Sequence, residues 1–384
     1  MATLLKQKDE DRQVQPSIDE IEKVARIRLF RSNHVGSVTF YHLLKRYGSA
    51  VKALEVLPDL AKRGGLKSKI KIYDEALVEQ EFQDHKKHKA QLCVIGDGIY
   101  PEALAQFQDL PPVISVAGNH KLLEKKMIAV VGARNCSITG KKMAAQLAQE
   151  IGEKGHIIIS GLARGIDTQA HKASLESGTI GVIAGGINAV YPPENKDLFE
   201  EMREKGLLIA ESPIGTEPQG ILFPKRNRLI AALSQGVIII EAATQSGSLI
   251  TARFASEYSK DVFVVPGSPM DPRYQGSNQL IRGGATLVTS AQDVLDIVDR
   301  PYALNFHEAN TLDEIDYSDI EETNITDTHR DDVLSKLSTT PVTLDELIRE
   351  CELSASVLSS IVLDLELAGR AMRHPGNQIS RIHN

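Results

Sequence analysis

Cysteine is scarce in this chain: Cys93, Cys136 and Cys351 are odd in number, far apart and never paired as CxxC, which argues against a disulfide framework or a zinc knuckle. Long apolar runs are missing as well. Stretches such as Ile157-Ile158-Ile159 and Val237-Ile238-Ile239-Ile240 fall far short of the ~20 residues that cross a bilayer, so no membrane span is expected. Met1 to Pro16 mixes acids and bases around no apolar core; neither a secretory signal nor a transit peptide is readable, and a cytoplasmic location is expected. GxGxxG does not follow the first strand of the α/β region, and GxxxxGK[ST] fails because Gly132 and Gly140-Lys141 stand too far apart. GxSxG and HExxH are absent too. No cofactor and no metal are expected, and ATP hydrolysis is unsupported.

What is present is ordinary globular material. The 384 residues are 42% apolar and 25% charged, enough for two or three domains with full cores. The net charge of −7 is unevenly spread. Glu308 to Asp332 holds ten acids against Arg330 alone, about −9 in one solvated linker, which leaves the folded parts near neutral and free to carry a local basic site.

Four regions follow. Residues 1–80 show helix-like spacing from Ile21 to Leu60, broken at Val35-Gly36-Ser37 and Tyr47-Gly48-Ser49, and predict a small all-helical unit. His85 and His88, in a lysine-rich patch, read as a solvated face, because no further ligand stands at a useful spacing. Residues 81–305 alternate β-branched runs with amphipathic helices. The strands expected are Ile128–Val131, His156–Ile159, Ile180–Ala184, Leu207–Ala210, Val237–Ile240, Val262–Val265 and Ala285–Val288, a Rossmann-like parallel α/β sheet covered on both faces. The acidic linker occupies 306–328. Residues 329–384 predict three helices and a β-hairpin, a winged helix, whose third helix, Ser354 to Leu367, has no lysine or arginine and makes a poor major-groove reader.

The connections after the strands carry the chemistry. Gly132-Ala133-Arg134-Asn135-Cys136-Ser137 and Ser160-Gly161-Leu162-Ala163-Arg164-Gly165-Ile166-Asp167 each lead into a helix; small residues let the backbone approach a phosphate, helix starts offer N–H groups, and arginine adds a bidentate charge. Asp167 is expected as an N-cap, with His171 packing one turn on. Phe223-Pro224-Lys225-Arg226-Asn227-Arg228 places cations at a helix start, where the macrodipole disfavours them, beside an aromatic on which a base could stack. Ser246-Gly247-Ser248 is a further small, hydroxyl-rich helix start. Leu280, Ile281, Leu287 and Val288 could form a dimer patch but suit ordinary core better.

Taken with VVGARNCS, SGLARGIDTQAH, FPKRNRLIAALS, EAATQSGSLITARFA and GSNQLIRGGA, the sequence resembles the DNA-processing protein A (DprA/Smf) family. The resemblance implies a SAM-like fold for the helical unit over 1–80 and a non-catalytic protein that binds and protects single-stranded DNA, forms homodimers and loads RecA during natural transformation. By position it implies a DNA groove with Arg134 as the principal phosphate contact. Gly132 and Ser137 would shape the cradle, and Phe223, Lys225, Arg226, Asn227 and Arg228 the second wall. Gly161, Arg164 and Gly165, with Ser246, Gly247 and Ser248, would line the same edge. Ala133 stands where the family commonly has serine, and Val35-Gly36-Ser37 lacks the second glycine of a helix-hairpin-helix. Two other readings stay open: a nucleotide-binding sensor or nucleotide N-glycosidase using Glu241 or Asp167, and a purely structural interaction protein.

Overall fold

In a computed structural model of the chain, the described residues are 18–300, 325–374 and 377–382. They divide into two compact units, one within residues 80–302 and the other joining 18–79 to the segment from 325 onward. Most of the acidic linker expected over 306–328 lies outside the described residues.

The second unit begins with helices α1 (Glu20–Arg31), α2 (Ser37–Tyr47) and α3 (Ala50–Arg63). Asp19 and Ser49 cap α1 and α3 through their side chains, and Gly48 closes α2 in the left-handed conformation. Helix α4 (Glu75–Lys87) leads to the sheet unit. His85, expected on a solvated face, is instead buried. Its ring bonds the Glu81 carbonyl at 2.7 Å and Ser115 Oγ at 2.8 Å, so the patch is amphipathic rather than uniformly wet. No cluster suited to a metal occurs among the described residues.

The sheet unit runs β1 (Gln91–Val94), α5 (Glu102–Ala105), β2 (Val113–Gly118), β3 (Met127–Gly132), α6 (Ile138–Glu153), β4 (Ile157–Ser160), α7 (Ile166–Ser174) and β5 (Thr179–Gly186). It continues through α8 (Lys196–Lys205), β6 (Leu207–Ser212), α9 (Leu222–Leu233), β7 (Gly236–Ile240) and α10 (Ser248–Glu257). It closes with β8 (Asp261–Val264), α11 (Gln275–Arg282), β9 (Thr286–Leu287) and α12 (Ala291–Val298). The strands form one nine-stranded sheet in the order β1-β2-β6-β5-β4-β3-β7-β8-β9. From β6 to β9 all pairings are parallel; β1 and β2 extend the β6 edge antiparallel, an addition to the expected sheet.

Strand alternation sorts the core into two faces. Ala129, Val131, Ile157, Ile159, Val237 and Ile239 face α9 and α10, whereas Ile128, Val130, Ile158, Ile238 and Ile240 face α6, α7 and α12. Val288 is buried and Leu280 and Ile281 pack on the core, leaving only Leu287 of that candidate patch exposed.

The second unit resumes with α13 (Asp327–Lys336), β10 (Val342–Thr343), α14 (Leu344–Cys351), α15 (Ala355–Leu367), β11 (Ala371–His374) and β12 (Gln378–Arg381), with the strands ordered β10-β12-β11. Thr326 caps α13, the first helix of the winged-helix region among the described residues. Helix α15 is buried continuously from Leu358 to Leu367, Asp364 and Glu366 included. It packs on the N-terminal helices. Arg46 donates to Ser360 Oγ at 2.8 Å, and a side chain on Gly64 would collide with the Asp364 carbonyl. Arg330 pairs with Asp364 at 3.0 Å and Arg373 with Glu366 at 3.2 Å, while Arg370 donates to the Gly64 carbonyl at 3.4 Å. Arg370 and Arg373 of the wing are thus spent on internal partners.

Candidate nucleic-acid interface

Ligands of open parallel sheets lie beyond the carboxyl ends of the strands, at the point where successive connections depart to opposite sides. Here that point falls between β3 and β7. The connection after β3 turns at Gly132, where a Cβ would fall on the Ile240 carbonyl, and ends at Ser137, whose Oγ caps α6 by accepting from Gly140 N–H at 2.9 Å. Glu241, the first residue after β7, fills the remaining space. Its fully buried carboxylate accepts from Ser137 N–H at 2.8 Å, from Ser137 Oγ–H and from the Tyr274 hydroxyl at 3.0 Å. A Cβ on Gly140 would press within 2.6 Å of that carboxylate. An anion is favoured at a helix N-terminus, and in this fold the anion is the protein's own side chain. Ser137, expected to shape the cradle, bonds Glu241 through both its N–H and its hydroxyl.

The connection after β4 is equally braced. Asp167 is not the N-cap of α7, which starts at Ile166 after Gly165 at φ +84°. From inside the first turn Asp167 reaches back to accept from Gly161 N–H at 3.1 Å and Ala163 N–H at 3.3 Å, closing the loop. Burial raises its carboxyl, partly offset by Arg226. His171 bonds Thr179 Oγ1 at 2.7 Å and accepts from Leu162 N–H; burial, then Arg226, lower its pKa to about 3, so the ring is neutral. Asn195 donates to the Leu162 carbonyl at 2.8 Å and fastens the next connection to this one. The carboxylates a nucleotide-cleaving enzyme would use, Glu241 and Asp167, are both engaged with backbone amides.

The basic segment at the start of α9 separates by direction. Arg226 points inward: it is buried against Gly161, where any Cβ would strike its guanidinium, and beside Asp167. Arg228 donates to the Asp109 carbonyl and pairs with Glu211 at 2.5 Å. Both cations are expected on the groove wall; instead Arg228 is held by internal acceptors, and Arg226 is buried near the Asp167 carboxylate, whose charge favours its ionised form. Asn227 donates to the Gly247 carbonyl at 3.2 Å, and Ser246 and Ser248 bond each other at 2.7 Å, so this corner is a local brace. Lys225 stays exposed.

Exposed at the mouths are Arg134, whose guanidinium lies over the Phe223 ring at 5.1 Å, and Arg164, only loosely paired with Glu194 at 3.5 Å. Together with Asn135, Lys141, Gly165, Gln169 and Asn195 they line a cavity of about 610 Å³. Lys141, Gln169 and Asn195 were not among the expected site residues. Lys141 could have been found, since it follows Ser137 by one helical turn and shares that face with the loop; Asn195 lies far along the chain and carries no local pattern.

Comparison with known proteins places this geometry in a lineage. Residues 91–299 match the family model for DNA recombination-mediator protein A, residues 20–83 that for a DprA-like N-terminal HHH domain, and residues 321–377 that for a DprA winged helix domain. The chain belongs to the DNA-processing protein A family. The missing second glycine at Val35-Gly36-Ser37 thus does not remove the N-terminal unit from the helix-hairpin-helix class. DNA processing protein DprA of Streptococcus pneumoniae is 38% identical over 283 residues, 71% of this chain and 98% of the relative. DprA of Bacillus subtilis is 40% identical over 63% of this chain and 82% of its own. The solved Streptococcus pneumoniae DprA superposes with a TM-score of 0.63 at 36% identity, covering 73% of this chain and 98% of that one. A Helicobacter pylori DNA processing protein A, solved to study its single-stranded DNA binding mode, gives 0.51 at 30% identity over 54% and 94%.

Proposed function

We propose that the sheet unit grips single-stranded DNA along the carboxyl edge of its parallel strands, with Arg134 as the principal phosphate contact. Arg164 and Lys141 share the cavity with it, Gly132, Gly161 and Gly165 give the backbone close approach, and Lys225 adds charge at the flank. The observation carrying this reading is Arg134 itself, exposed on a short loop that Glu241 and Ser137 hold from beneath. The Helicobacter pylori relative's single-strand binding supports it. On the same reading the protein is a non-catalytic, cytoplasmic recombination mediator that protects incoming strands, loads RecA during transformation and works as a homodimer.

Single-strand affinity should fall with rising salt by roughly 0.7 log units per neutralised phosphate per decade and depend little on sequence. Arg134→Ala should cut affinity sharply and reduce that slope by about one contact. Salt-titrated binding of single-stranded and duplex DNA to both proteins, with RecA filament formation followed in parallel, is the test; full affinity in Arg134→Ala would overturn the assignment.

A further inference from the structure

Large apolar side chains exposed in the sheet unit are Ile138, Tyr191, Ile221, Met270 and Leu287 among the described residues. All but Leu287 stand beyond the carboxyl ends of β3, β5, β6 and β8, on the edge that carries Arg134. A surface that bound phosphates alone would have no use for them. Tyr191 is the sole aromatic in this group, 43% exposed, and its ring centroid lies 5.5 Å from that of Phe223 at an interplanar angle of 59°. The backbone beneath it is fixed four residues on by Asn195.

Phe223, expected to stack a base, is poorly placed for it. The ring is half-buried, Arg134 lies over it at 5.1 Å and Tyr191 leans against it. A base stacking on Phe223 would have to displace Arg134 and so forfeit the phosphate contact. Stacking on Tyr191 leaves Arg134 where it is, between the aromatic corner and the cationic cavity shared with Lys141 and Arg164.

We propose that Tyr191 is the base-stacking platform of this groove, taking one unpaired base on its exposed face while Arg134, seated on Phe223, holds the neighbouring phosphate. The proposal rests on the reading of the edge as a single-strand groove. A duplex, whose bases already stack on each other, cannot use the platform, so Tyr191 also favours unpaired strands.

The chain contains no tryptophan, so Tyr191→Trp introduces a single indole reporter. Titrating the full-length variant with oligothymidylate should quench that indole with affinity retained. Tyr191→Ala should bind oligothymidylate about tenfold more weakly, with an unchanged salt slope and no loss on an abasic oligonucleotide, and Tyr191→Phe should restore binding. An unquenched indole at saturation, or undiminished affinity in Tyr191→Ala, overturns the platform while leaving the groove standing. Wild-type protein that binds neither oligonucleotide overturns both.

Discussion

Two arginines from glycine-rich and basic motifs of similar appearance perform opposite tasks. Arg134 ends in solvent, whereas Arg226 ends beside a buried carboxylate, and burial lowers its pKa to about 10 without discharging it at neutral pH. Leaving a buried carboxylate without the nearby cation that offsets its burial typically costs about 3–5 kcal/mol, several times the effect of an exposed substitution. Arg226→Ala should therefore destabilise the sheet unit by about that amount in denaturant unfolding, while Arg134→Ala shifts stability by less than about 0.5 kcal/mol. Equal losses in the two variants would refute the division of labour. Gly140 gives a third check: Gly140→Ala crowds the Glu241 carboxylate and should cost about 1–3 kcal/mol.

At the level of elements, the expected parallel strands appear within about two residues of their positions because most are short apolar runs rich in Ile and Val, set between helical stretches, the pattern of strands buried on both faces. β1 and β2 lie outside the sequence pattern, since Leu92-Cys93-Val94 is short and Val113 follows two prolines, so neither shows the helix-flanked rhythm of the rest. The loops stand out as a candidate site by their glycines and arginines. Which arginines face outward is not legible there, because direction depends on Asp167, Asp109 and Glu211, distant in sequence from the residues they hold. The absence of cations from α15 was legible, and its reason is now plain: that helix is core. Deleting residues 325–384 should consequently leave single-strand affinity within about twofold in a gel shift, since phosphate contacts carry that affinity and α15 offers none. Abolished binding would contradict this.

For the whole molecule, two largely buried histidines weaken the fold in acid. Burial first, then Arg373 and Lys45, lower His42 in the helical unit to about 4, and burial with Arg226 lowers His171 in the sheet unit to about 3. Both rings stay neutral when folded but take a proton near pH 6.5 when unfolded. Stability from these rings is thus complete above pH 6.5 and declines towards pH 4 and 3, by about 1.4 kcal/mol per pH unit for each. Asp167, Asp364 and Glu366, raised by burial, act in the opposite sense, so the comparison of wild type with His171→Gln isolates one ring. Calorimetric melting across that range should show a shallower acid slope in the variant. A last consequence concerns synthesis. One unit is assembled from two stretches with the entire nine-stranded sheet encoded between them, so on the ribosome the sheet can close early, whereas α3 must wait, its seat for α15 bare, until the final helices emerge.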